Sequence, residues 1–210
     1  ERTRADALRF WGRSHEGPMG PEPPFDYRFE HTLAVVRVAR WLCPRVGADL
    51  DIVECAAWTH DLCKRLGDRG TPDTHAQDAA DLLPELLAET DFPSDKHPAV
   101  RHAILHHVGL RLAHPLDPLE TACLWDADKL SKLGAASLVH FTAISGAFQP
   151  TDTSEILARG ERWLTLAEGI AASMNTPPAR QEAFRRLTFL QRHYDQLRRE
   201  WADPMEESLP

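Results

Sequence analysis

The sequence predicts an all-α protein of about seven to eight helices. Three observations support that class. Nearly every periodic segment repeats its apolar residues at helical spacing, no alternating strand pattern exceeds four residues, and Pro- or Gly-rich breakers separate the segments. The chain has 210 residues, with 24 Lys+Arg against 32 Asp+Glu, for a formal charge of −8. Size scaling buries about 70% of such a chain's surface, enough for one large domain, or one domain with a helical extension.

The breaker-rich stretch GPMGPEPP precedes a first helix over 29–43 (FEHTLAVVRVARWLC). A second is expected over 50–65 (LDIVECAAWTHDLCKR), with Asp49 or Asp51 as its N-cap. A loop at 67–74, rich in Gly, Asp and Thr, leads to a third helix over 75–89, which Pro84 is expected to kink or split. The fourth covers 98–108 and stops at Gly109. The fifth runs from about 118 to 133, with Pro118 suited to a first-turn position and Gly134 as the stop. Segments 135–145, 153–174 and 178–201 complete the set. The last carries a seam of Ala183, Leu187, Leu190, Tyr194, Leu197 and Trp201, suited to packing on the domain or across a homodimer. Arg185, Arg192 and Arg199 lie off that seam and read as a solvated face.

Composition removes several classes. An acidic chain of pI near 5.7 lacks the basic footprint of a binder of extended nucleic acid. No apolar run approaches the ~20 residues that span a bilayer, and ERTRADALRFWGRSHEGP has no apolar signal-peptide core. The four cysteines form no CxxC pair, so they read as reduced, buried thiols of a cytoplasmic protein.

The chemistry lies in the placement of the 11 histidines. His60-Asp61, within AAWTHDLCK, can direct an imidazole nitrogen and a carboxylate at one cation, and one Asp can bridge two cations through its two oxygens. His31 opens the first apolar helix. His75, His102, His106 and His107 follow, then Asp126 and Asp128 in LWDADKLSKLG. These two acids stand among Leu124, Trp125, Ala127 and Leu130, so they need partners if buried. His106-His107, after Ala-Ile-Leu, pose the same demand. Singly, His31 reads as a cap, His75 as a helix opener and Lys64 as a surface cation; one shared cation site would satisfy the whole group.

The order His31 … His60-Asp61 … Asp128 resembles the HD superfamily of metal-dependent phosphohydrolases, whose pattern is H…HD…D. FEHTLAVVRVA resembles that family's first-helix signature. AAWTHDLCK resembles its AAxxHDxGK stretch, with Cys63 where Gly is commonest. AILHHVG resembles the His-His segment of binuclear members, and DADKLSKLG the closing helix. The resemblance covers 27–146 and implies a compact HD-type metal-binding core there. It leaves 1–26 as an N-terminal extension and 147–210 as C-terminal helices packed on the core.

Carried over by position, the resemblance implies that His31, His60, Asp61 and Asp128 hold a first metal. His75, His106 and His107 would hold a second, with Asp61 bridging. Asp128 is preferred to Asp126 because the family's ligand directly precedes the basic-Leu pair, here Lys129-Leu130. Asp126 is then an outer acceptor or a cap, and His102 is held in reserve. Nitrogen-rich ligation suits a divalent transition metal (Mn, Fe, Co, Ni or Zn), one or two per chain, over Mg or Ca. The implied reaction is hydrolysis of a small phosphorylated substrate, a nucleotide or related phosphate ester, by metal-activated water. Asp61 and Lys64 are its catalytic candidates, the Lys reaching the phosphate as a point charge from one turn on. The alternatives are an HD-type di-iron oxygenase and a non-catalytic nucleotide-binding HD module. No nucleophile triad, P-loop or Gly-Tyr-Pro motif accompanies the set, and His140 and His193 match no family position.

Overall fold

Proline and glycine positions set most helix limits in the structure, a computed structural model that describes residues 27–64, 74–148 and 151–202. The helices are α1 (Tyr27–Val46), α2 (Leu50–Thr59), α3 (His75–Leu87), α4 (His97–His106), α5 (Leu119–Ser131), α6 (Gly134–Phe148), α7 (Thr153–Ala172) and α8 (Pro177–Ala202). A 3₁₀ turn at Ser94–Lys96 precedes α4, and the described residues contain no strand. The architecture is all-α, as the periodicity predicts. The expected N-terminal extension at 1–26, and the loop at 67–74 except for Thr74, lie outside the described residues.

Helix α5 is the centre. Every residue from Thr121 to Ser131 is buried, including Asp126, Asp128 and Lys129. Helix α1 packs along it, with α4 and α8 also in contact; α2 bridges α1 and α4, and α3 covers α4. Trp125, Leu42, Leu83 and Ile104 are among the largest fully buried side chains, each contributing roughly 1.5–3 kcal/mol by leaving water.

Helices α7 and α8 run in opposite directions, with Glu161 bonded to Arg198 at 2.9 Å and Trp201 Nε1 donating to Ser154 Oγ at 2.9 Å. They approach closely at Gly160, where a Cβ would lie 1.9 Å from Tyr194 Cε1. Ala183, Leu187, Leu190 and Tyr194 of the seam are buried within the chain, Leu197 is half-buried, and Trp201 is exposed. Asp126 ties these helices to the core. Its two oxygens accept from the backbone N–H and the side chain of both Asn175 and Thr176, at 2.8–3.0 Å.

Two local expectations are corrected. Helix α2 ends at Thr59 rather than continuing to 65. Residues 60–63 form a tight turn instead, closed by Leu62 N–H donating to Thr59 O and Lys64 N–H to Asp61 O. The Arg28 guanidinium also donates to Asp61 O. Pro84 does not split α3. It faces solvent near the C-terminus, so its missing N–H affects only the last turn, and Pro84 O still receives Ala88 N–H at 3.1 Å. None of the helices in the described residues is long and apolar enough to cross a membrane.

Candidate metal centre

Five helices end on or cross one buried point. His31 comes from α1, His60 caps the C-terminus of α2 and Asp61 follows it. His75 is the first residue of α3, His107 caps the C-terminus of α4, and Asp128 lies within α5. The C-termini of α2 and α4 bring the negative ends of two dipoles to the same place, and the N-terminus of α3 brings one positive end. All six side chains are buried, none more than 7% exposed.

Two groups of donor atoms form, each lying within 4.8 Å: His31, His60 and Asp61, and Asp61, His75 and His107. Asp61 belongs to both. Its Oδ2 lies 3.4 Å from His31 Nε2 and 3.7 Å from His60 Nε2, while its Oδ1 lies 3.2 Å from His75 Nε2 and 3.5 Å from His107 Nε2. Asp128 joins from the other side, with Oδ1 3.2 Å from His31 Nε2.

The ring orientations are fixed from behind. His60 Nδ1 lies 2.8 Å from Ala57 O, and His107 Nδ1 lies 2.5 Å from Ile104 O. A carbonyl only accepts, so each Nδ1 carries the proton and each Nε2 presents a lone pair inward. Ser131 Oγ donates to Asp128 O at 2.7 Å, so it accepts from His31 Nδ1 at 3.1 Å, giving His31 the same tautomer. Burial, against the nearby carboxylates, holds the His60 pKa well below its ordinary value and keeps the ring neutral.

The donor set fits a metal. Asp61 Oδ1 is buried and has no hydrogen-bond partner, an expensive condition for a carboxylate oxygen unless it meets a cation. Imidazole lone pairs converge on it. An N,O donor set, with one carboxylate common to both groups, suits a divalent transition ion.

His106 does not join the cluster, which corrects its expected place among the ligands of a second ion. It is exposed, its Nδ1 lies 2.8 Å from His102 O, and its ring stacks on His102 at 4.1 Å between centroids. Adjacent positions at a helix end diverge by about 100°, so only one of His106 and His107 can face inward. His102 is likewise turned away, with Nδ1 2.9 Å from Thr121 Oγ1. Asp126 serves the α8 connection described above.

Three cations around the carboxylates escaped the sequence reading. Arg28 is buried and pairs with Asp61 Oδ2 at 3.1 Å; Lys129 and Lys132 pair with the two oxygens of Asp128. Their spacing was a usable signal: Arg28 stands one turn before His31, and Lys132 one turn after Asp128. Lys129 Nζ also donates to His107 O at 2.8 Å, and burial, opposed by Asp128, lowers its pKa to about 8. Burial works to raise the pKa of both Asp61 and Asp128. Arg28 and Lys64 outweigh it at the first, and Lys129 and Lys132 at the second, so both stay well below the ordinary carboxylate value. Lys64 Nζ lies 3.9 Å from Asp61 Oδ1. Outward, a cleft of about 360 Å³ is lined by Lys64, Lys129, Lys132 and Gly109 together with Asp61, His75, His107 and Asp128. Four cationic side chains surround two carboxylates, so the site is locally positive within an acidic chain.

The family profile of the HD domain matches residues 28–133, the segment that supplies all six converging side chains. No curated protein matches the chain. Among solved structures, an HD-superfamily hydrolase from Bacillus thuringiensis is 22% identical, with a TM-score of 0.60 over 96% of this chain and 95% of that one. YpgQ from Bacillus subtilis, in complex with ADP, is 25% identical, with a TM-score of 0.58 over 94% and 97% of the two chains. A predicted HD-superfamily hydrolase from an uncultured Thermotogales bacterium is 21% identical, with a TM-score of 0.60 over 94% and 92%. Half of the sequence matches one profile, and the fold of these neighbours extends over nearly the whole chain: the protein belongs to the HD domain family.

Proposed function

We propose that the protein is a metal-dependent phosphohydrolase acting on a small phosphate ester, with a nucleotide as its substrate class. The observation that carries this reading is Asp61 Oδ1, buried without a hydrogen-bond partner where inward-facing imidazole nitrogens converge. His31, His60, Asp61 and Asp128 would hold one divalent ion, and His75 and His107, sharing Asp61, a second. Such ions supply an activated water and polarise the phosphoryl oxygen.

The chain's own residues suit the rest of that chemistry. Lys64 and Lys132, partly exposed at the cleft, offer point charges to phosphate oxygens. Lys129, buried beneath, holds Asp128 and the His107 carbonyl in register. Arg28 anchors Asp61 from the side and from its backbone, fixing the carboxylate that both groups share. The ADP bound by the similar YpgQ supports a nucleotide over a simpler ester.

The test pairs metal analysis of protein purified without added metal with a panel of nucleotides and generic phosphate esters. Retained transition metal and hydrolysis of at least one nucleotide are expected, with both lost in Asp61→Ala. Full hydrolysis by Asp61→Ala overturns the site. Iron-rich protein that consumes O₂ and is inert toward every phosphate ester overturns the hydrolase reading in favour of an oxygenase.

A further inference from the structure

We propose that a narrow aromatic slot beside the metal centre receives the heteroaromatic ring of the substrate. This inference rests on the nucleotide reading above and deepens it. The slot, of about 80 Å³, is lined by His31, Lys132, Ser137, His140, Phe141 and Trp163, with Ser131 at its base. It borders the phosphate cleft directly. Lys132 lines both, and His31, which lines the slot, has its Nε2 within 3.4 Å of Asp61 and 3.2 Å of Asp128, both of which line the cleft.

Its chemistry differs from that of the cleft. Phe141 and Trp163 make a tilted pair with ring centroids 5.1 Å apart and 37° between planes. Phe141 remains 38% exposed although it adjoins a concave surface. Such faces stack on flat π-systems, and stacking tolerates any base. Trp163 Nε1–H is buried and has no acceptor among the described residues, a condition that a ligand carbonyl or ring nitrogen would relieve. Ser137 Oγ spends its proton on Gly134 O at 2.8 Å, so it can only accept from anything in the slot. The Trp163 donor and the Ser137 acceptor, with His140 and Lys132 beside two aromatic faces, suit the edge and face of a nucleobase. The phosphate end would then lie across His31 and Lys132, in the positive cleft.

The test uses two probes that differ only by the nucleoside: α,β-methylene-ADP and methylenediphosphonate, each titrated with Mn²⁺ by calorimetry. The wild type is expected to bind the nucleotide probe about tenfold or more tighter. Phe141→Ala should close most of that gap, and Trp163→Phe, which keeps a ring and removes the N–H, should narrow it about two- to tenfold. Affinity for methylenediphosphonate should stay unchanged in both variants, which also reports that the fold survives. Equal affinity for the two probes in the wild type, binding of neither, or an undiminished gap in Phe141→Ala overturns the proposal. The two readings fail separately. An undiminished gap with active nucleotide hydrolysis removes the slot alone, whereas a gap that collapses in Phe141→Ala without hydrolysis of any ester removes the hydrolase alone.

Discussion

Replacing Asp126 with Ala removes the acceptor that joins α5 to the start of α8, and the structure gives the size of the effect. Four hydrogen bonds end on this carboxylate. Asn175 is half-buried, so its donors can turn to water, but Thr176 is buried and would keep an unpaired backbone N–H and hydroxyl. Stranding those two groups costs about 1–3 kcal/mol each, so the expected destabilisation is about 4 kcal/mol. For a chain of this size that lowers Tm by roughly 8–16 °C. Asp126→Asn keeps one acceptor oxygen and should lose about half as much. It also removes a charge whose burial, outweighing the four bonds, raises the Asp126 pKa above its ordinary value. Thermal and urea unfolding followed by circular dichroism, with metal content measured on the folded protein, checks this. A shift below about 3 °C for Asp126→Ala, on the scale of about 1 kcal/mol, would refute the tether. Loss of metal at unchanged Tm would make Asp126, not Asp128, the ligand.

Other perturbations read different parts of the molecule. His106→Ala should retain metal and His107→Ala should lose an ion, measured by elemental analysis; the reverse result would place the wrong histidine at the centre. Gly160→Ala puts a methyl against the buried Tyr194 ring and should cost about 1–3 kcal/mol of stability by overpacking; an unchanged unfolding midpoint would contradict the close approach of α7 and α8. Glu182 is held at about 2, below its ordinary 4.5, chiefly by its bond to Arg185 and then by Arg186. Because the folded pKa is the lower one, its contribution is complete above about 4.5 and vanishes as pH falls toward about 2. Glu182→Gln should therefore destabilise at pH 7 and be neutral near pH 2. Equal losses at both pH values, from denaturant unfolding, would be the contrary result.

The helices were legible because their signals are local. Apolar residues at helical spacing mark the faces of α1 and α4, and Pro118, Gly109 and Gly134 mark limits that the structure respects. The end of α2 was not legible. There Leu62 N–H turns to Thr59 O, and Arg28, 33 residues away, holds Asp61 by its side chain and its carbonyl, a contact that no window around residue 60 contains. The order of His31, His60-Asp61, His75, His106-His107 and Asp128 pointed to one cluster, and all of these except His106 are brought together. Spacing could not choose between His106 and His107, since that depends on the rotation at which α4 ends. Nor could it reveal that α5 is buried on every side. A helix carrying Asp126, Asp128, Lys129 and Lys132 looks amphipathic until its carboxylates are seen to be fully partnered.

The rear contacts of His60 and His107 have a wider consequence. Each ring is held by a carbonyl three residues back in its own helix, Ala57 O and Ile104 O. The orientation of these two imidazoles is therefore inherited from the final turns of α2 and α4. Fraying of either turn releases the imidazole together with the backbone, so ligand and helix end have no separate fates. Cation release and loss of these helix ends should consequently be one cooperative event. If an ion is bound as proposed, a chelator should loosen these two helix termini and speed amide hydrogen exchange there.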